Sequence, residues 1–229
     1  LGLGGESGCG KSITAMALMG LLPESAEVTG SIRFDRQELV GQSDAVLRKL
    51  RGNRIGMIFQ EPMTALNPVH TIGDQVAEPM RLHRGINRAA ARTQTIALLE
   101  RVGIPNAAGR VDAYPHQFSG GQRQRITIAM ALACEPDVLI ADEPTTALDV
   151  TIQGQILDLI HDLVHERSMA LILISHDLGV IAQNVERMMV MYGGSVIESG
   201  ATRQVFGHMA HPYTRGLFGA RPRLGAPAG

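Results

Sequence analysis

The chain has 229 residues, 45% hydrophobic and 19% charged, enough for one substantial core with an inserted subdomain. Its formal net charge of −1 offers no global attraction for nucleic acid or an anionic membrane surface, and two cysteines make no disulfide framework. No apolar run reaches the roughly 18 residues of a membrane-spanning helix.

Leu1 to Leu3 read as the end of a strand, and the chain is read as missing its N-terminal part. That strand feeds Gly5-Glu6-Ser7-Gly8-Cys9-Gly10-Lys11-Ser12, which meets the pattern G-x-x-x-x-G-K-[ST] at every fixed position. Glycines let such a loop curl until its backbone N–H groups face phosphate oxygens. Lys11 is then expected to reach the β- and γ-phosphates of ATP, and the Ser12 hydroxyl to ligate Mg²⁺. Ile13, Ala15, Met16, Ala17, Leu18, Leu21 and Leu22 predict a helix whose positive end points at the same anion. Cys9 needs only to be small, and Cys134 reads as a buried small hydrophobe in a reducing compartment.

A short strand is expected at 31–34, a loop and short helix through Leu39, Val40, Val46 and Leu47, and a strand at 54–60 stopped by Pro62. From 62 to 135 the pattern turns helical. Ile72, Val76 and Met80 form one face, and Ala91, Ile96, Leu98, Leu99 and Val102 another, broken at Gly103-Ile104-Pro105. Ser119 before Gly120-Gly121 marks a helix start with a serine N-cap. Arginines at 48, 51 and 54 (with Lys49), and again at 81, 84, 88 and 92, read as solvated helix faces.

Val138-Leu139-Ile140-Ala141 is a continuous apolar run, expected of a strand buried on both faces. A helix over 151–167 follows, then strands at 170–174 and 187–191. Gly193-Gly194 suggests a hairpin into Val196-Ile197, and the tail from Pro212 reads as weakly structured. Strands alternating with helices predict an α/β fold with a mostly parallel sheet and an inserted helical subdomain. The expected division is a core over 1–61 and 136–200, the insertion over 62–135, and a tail over 201–229.

Ligands of open parallel sheets lie beyond the carboxyl ends of the strands. Asp142 and Glu143 end one strand there: Asp142 suits the Mg²⁺ shell, and Glu143 suits orienting and deprotonating a water that attacks the γ-phosphate. His176 ends another strand, where an imidazole could donate to that phosphate. Gln60 ends a third; its amide could touch Mg²⁺ or the attacking water and act as a hinge to the insertion. Ser119, Gly120, Gly121 and Gln122 form a second anion-binding helix start, inside the insertion. The economical way to use it is a two-fold dimer in which it caps the partner's ATP.

These motifs stand in the order of the ATP-binding-cassette ATPases, which the chain resembles over nearly its whole length. Residues 5–12, Gln60, 118–122, 138–144, Thr146-Ala147-Leu148-Asp149 and Ser175-His176-Asp177 are similar to that family's Walker A, Q-loop, signature, Walker B, D-loop and switch histidine. The resemblance implies a RecA-like P-loop fold and a dimer closing on two ATP. It makes Glu143 the base, Ser119 and Gly121 phosphate contacts in trans, and Asp149 a dimer contact. Residues 59–68, 114–119 and His211-Pro212-Tyr213-Thr214 resemble the oligopeptide/dipeptide importer ATPases of bacteria. That implies a peripheral subunit on the cytoplasmic face of the inner membrane, with two permease subunits, a second ATPase chain (identical or related), an extracytoplasmic binding protein acting indirectly, and no nucleic acid. It also implies an adenine-stacking aromatic upstream of residue 1; some of these ATPases carry a C-terminal cysteine cluster, which this sequence, with only Cys9 and Cys134, does not contain. The alternatives are a non-transport cassette in DNA repair or translation, an importer of nickel, glutathione or another small solute, and a module that binds ATP without turnover.

Overall fold

A computed structural model describes residues 1–219. Strand β1 (Gly2–Gly4) runs into the 5–10 loop, and α1 (Lys11–Met19) starts at the lysine of the motif. α1 stops short of Leu21 and Leu22 because Gly20 turns left-handed (φ 63) and Leu21 N–H reaches back to the Met16 carbonyl, 2.9 Å away. The strand expected at 31–34 shrinks to β2 (Arg33–Phe34), which makes an antiparallel hairpin with an unforeseen β3 (Gln37–Glu38). Asp35 and Arg36 between them take positive φ, which bare propensity does not flag. α2 (Asp44–Leu50) is the short helix anticipated there, and β4 (Ile55–Ile58) lies inside the predicted strand.

The helical stretch comprises α3 (Pro62–Ala65), α4 (Ile72–Arg84), α5 (Arg88–Arg101), α6 (Ala107–Arg110), a 3-10 turn (Pro115–Gln117) and α7 (Gly120–Leu132). Thr71 and Asn87 cap α4 and α5 by accepting from Asp74 N–H and Ala90 N–H. Ile72, Val76, Met80, Ala91, Leu98, Leu99 and Val102 are buried as the periodicity predicts, while Ile96 is only half-buried. The arginines do more than face solvent. Arg92 grips Asp112 through two bonds of 2.6 Å, Arg54 reaches Asp137 at 2.7 Å, and Arg84 donates to the Cys134 carbonyl.

Strand β5 (Val138–Asp142) is followed by α8 (Val150–Glu166), β6 (Ala170–Ser175), α9 (Leu178–Asn184), β7 (Arg187–Tyr192) and β8 (Ser195–Ala201). The Gly193-Gly194 hairpin is present, with β8 longer than expected. The tail from Pro212 is not weakly structured through residue 219: after α10 (Thr202–His208) it forms α11 (Pro212–Gly219). Tyr213 and Leu217 pack against the buried cluster of Leu178, Ile181, Met188, Val190 and Val205, which supplies the order that its composition did not advertise. The rest of the expected tail lies outside the described residues.

Contacts divide the chain into two compact units, Ile13–Ile172 and Leu1–Ser12 together with the chain from Leu173. In the first, β4 and β5 pair in parallel, Ile55 beside Val138 and Ile58 beside Ala141. The helices from α3 to α7 therefore leave one strand and return to its neighbour, as an insertion must. Leu139, Ile140 and Ala141 are buried on both faces, and Ile126, Ile128, Leu132, Ile156, Ile160 and Leu163 complete that core. In the second, β1 lies parallel between the end of β6 (Gly4 beside Ser175) and β7 (Gly4 beside Val190), with β8 antiparallel on β7. The sheet is mixed and mostly parallel, the α/β class read from the sequence.

Candidate functional site

In the unit that holds β1, the 5–12 loop closes around an ammonium. Gly5, Gly8 and Gly10 take φ of 151, 82 and 99, and a Cβ at Gly5 would strike the Met191 carbonyl oxygen. Lys11 is 5% exposed, and its Nζ donates to the carbonyls of Gly5 and Glu6, 2.7 Å each. An ammonium has three N–H bonds, and Nζ also meets the Cys9 thiol at 3.7 Å, a weak acceptor that a phosphate oxygen would outcompete. Cys9 is buried, so its small size answers a packing need within the loop. Ser12, half-buried, follows in the first turn of α1. His176 is exposed just past β6, and Asp177 next to it caps α9 by accepting from Gly179 and Val180 N–H.

In the other unit, β5 delivers two carboxylates at its carboxyl end. Asp142 is 3% and Glu143 7% exposed. Glu143 sits in the left-handed region (φ 47), a conformation that costs a non-glycine residue about 1–3 kcal/mol and concentrates at functional sites. The turn after it is held from α7: Gln124, fully buried, donates from Nε2 to the Pro144 carbonyl at 2.6 Å, and Thr127 Oγ1 donates to Gln124 Oε1. Sequence reasoning missed Gln124. The signal was a glutamine spaced four and eight residues from Ile128 and Leu132 on a helix whose neighbours are apolar.

Ser119 caps α7 as expected, its Oγ accepting from Gln122 N–H at 3.2 Å while Gln122 Oε1 accepts from Ser119 N–H at 3.1 Å. Gly120 and Gly121 open that helix, and a Cβ on Gly121 would crowd Ile152 at 3.0 Å. Asp149 caps α8 through Ile152 N–H, a structural duty that its motif did not reveal. Gln60 is exposed two residues beyond β4, so the strand it was expected to end stops earlier. Among the described residues, Asp142, Glu143 and Gln124 are thus brought together at one turn, and Lys11 is brought to the loop's own carbonyls.

A family model described as ABC transporter matches residues 1–146. The chain belongs to the ABC transporter family of ATP-binding cassettes. Over 222 residues it is 55% identical to the dipeptide transport ATP-binding protein DppD of Bacillus subtilis, covering 96% of this chain and 66% of that one. It is 52% identical over 224 residues to the oligopeptide transport ATP-binding protein OppD of Haemophilus influenzae, covering 98% and 69%. The chain therefore spans about two thirds of the length of the curated relatives it matches. Among solved structures it is similar to the dimeric, post-hydrolysis ATP-binding cassette MJ0796 bound to ADP and Pi. That match has a TM-score of 0.76 at 29% identity, over 88% of this chain and 84% of that one. cbiO1 of Clostridium perfringens, part of the ABC transporter complex cbiONQ, aligns with a TM-score of 0.75 at 28% identity, over 91% and 79%.

Proposed function

We propose that this chain binds and hydrolyses ATP as the peripheral ATPase subunit of a bacterial peptide importer. The observation that carries the reading is the 5–12 loop, which is already curled around the Lys11 ammonium, held by the Gly5 and Glu6 carbonyls and by the Cys9 thiol, a weak acceptor that an anion would displace. The loop residues from Gly5 to Ser12 hold the phosphates. Glu143, buried and held in a strained turn, is the base for the attacking water, and His176 senses the γ-phosphate. Ser12, Asp142 and Gln60 offer hydroxyl, carboxylate and amide oxygens, the hard donors that Mg²⁺ takes, so the donor set fits that ion. Bound there, it would neutralise charge on the β- and γ-phosphates.

A second ATPase chain would complete the reaction. Ser119, Gly120, Gly121 and Gln122 would present a capped helix start to its γ-phosphate, and Asp149 would take part in the contact between the two chains. The similarity to MJ0796, described as dimeric and bound to ADP and Pi, supports this arrangement. The peptide reading rests on the dipeptide and oligopeptide relatives. Two permease subunits would receive the motion through the insertion, which carries an open polar cavity of about 590 Å³ lined by Asn67, His70, Asp74, Gln75, Glu78 and Arg81. A binding protein would select the solute outside. No described helix is long and apolar enough to cross a membrane, which suits a peripheral subunit on the cytoplasmic face.

The test is nucleotide binding by wild type and Lys11→Ala. Wild type should bind Mg-ATP, and the variant should lose tight binding. Equal affinities would overturn the assignment of the loop.

A further inference from the structure

The motif His211-Pro212-Tyr213-Thr214 has no part in the functional reading above, yet it reaches the phosphate loop. Tyr213, on the first turn of α11, accepts at its hydroxyl a hydrogen bond of 2.9 Å from Glu6 N–H. That N–H belongs to the peptide joining Gly5 and Glu6. The carbonyl of the same peptide, Gly5 O, takes the Lys11 ammonium at 2.7 Å. One peptide plane is thus gripped at both ends, by a phenol on one side and by the motif lysine on the other. A planar, trans peptide fixed at its N–H is fixed at its C=O as well.

The grip is braced from behind. The Tyr213 ring lies 4.5 Å from that of Tyr192, tilted by 47°, and Tyr192 is the last residue of β7. Its neighbour Met191 offers the carbonyl against which Gly5 is packed. The turn before α11 is tied to β8 by Glu198, whose carboxylate accepts from Ala210 N–H at 2.8 Å and His211 N–H at 3.4 Å. His211 Nδ1 in turn accepts from Tyr213 N–H at 3.1 Å. Burial pushes the Tyr213 hydroxyl above its ordinary value, so it serves as a neutral acceptor at neutral pH.

We infer that Tyr213 is a positioning residue that sets the Gly5–Glu6 peptide, and through it the Lys11 ammonium, in the orientation that receives nucleotide phosphates. This rests on the nucleotide reading of the loop. The hydroxyl does not touch nucleotide; it lowers the cost of ordering the loop before nucleotide arrives. Its loss appears as weaker phosphate affinity with chemistry unaltered, because Glu143 and the attacking water stand outside this device. The effect is independent of the base, since the device acts on the loop alone.

The experiment measures KM and kcat for Mg-ATP and Mg-GTP hydrolysis, with direct nucleotide affinity, in wild type, Tyr213→Phe and Tyr213→Ala. Phe keeps the ring against Tyr192 and removes only the acceptor. The expected result is a KM and Kd about two- to tenfold higher in Tyr213→Phe for both nucleotides, the range that one lost neutral hydrogen bond produces, with kcat unchanged within about twofold. Normal affinity in Tyr213→Phe, with loss confined to Tyr213→Ala, would overturn the inference and leave only ring packing. A fall in kcat at unchanged KM would overturn it as well. If wild type fails to bind either nucleotide, the functional reading falls and takes this inference with it. If wild type binds and Tyr213→Phe binds equally, only the inference falls.

Discussion

Gln124 holds the Pro144 carbonyl from a fully buried position on α7, over 2.6 Å, and so ties the signature helix to the turn that carries Glu143. The bond joins the two motifs inside one unit, next to a glutamate at φ 47 that the surrounding structure must keep in place. Gln124→Leu keeps most of the volume but strands that carbonyl, at a cost of about 1–3 kcal/mol. Chemical denaturation should show this loss, and ATP turnover should fall further than ATP affinity. Unchanged turnover would mean that the turn holds Glu143 unaided.

Glu143→Gln keeps the shape of the turn and removes the base. ATP affinity should stay within a fewfold of wild type, while single-turnover hydrolysis falls by about 10²–10⁴. Near-normal hydrolysis would remove Glu143 from that role.

Ser119 caps α7 and is proposed to meet the partner's phosphate, and comparing Ser119→Ala with Ser119→Asp separates the two duties. Losing the cap on α7 should cost about 0.5–2 kcal/mol of stability. Ser119→Asp would keep a cap and set a carboxylate where the partner's phosphate is proposed to arrive. Stability near wild type with no ATP-dependent association is the expected result for that variant. Normal association would place the phosphate elsewhere.

Glu198 gives a dependence on pH. Burial raises its pKa, but the hydrogen bonds it accepts from Ala210 N–H and His211 N–H help to outweigh that and leave it below the usual carboxylate value. A lowered folded pKa stabilises above the unfolded value of about 4.3 and is lost as pH falls through the folded one. Between about pH 7 and pH 3, wild type should therefore lose more stability than Glu198→Gln. Parallel stability curves would show that the carboxylate charge contributes nothing there.

Much of this was legible from residues alone. The phosphate-loop pattern, the apolar run ending in Asp142 and the serine start of α7 are local, and each was read where the structure has it. Element ends were less legible. Gly20 closes α1 before Leu21, and β4 ends at Ile58, because turn geometry and neighbouring strands decide such limits. The β2–β3 hairpin hid behind positive φ at Asp35 and Arg36, residues that do not announce it. α11 hid because its helix depends on packing against α9 and β7, which local composition does not record. The helical spacing could have marked Gln124 as buried, but the partners of Gln124 and Tyr213 were beyond reach for a shared reason. Each acts through one long-range bond, across 20 and 207 positions, and no local pattern specifies such a partner.

The most direct test of the account is the light-scattering mass of the Glu143→Gln chain with and without Mg-ATP. Two chains closing on two nucleotides predict a monomer alone and a dimer only when Mg-ATP is present. A mass that stays monomeric at nucleotide concentrations that saturate binding would contradict the shared site and the role of Ser119 in it.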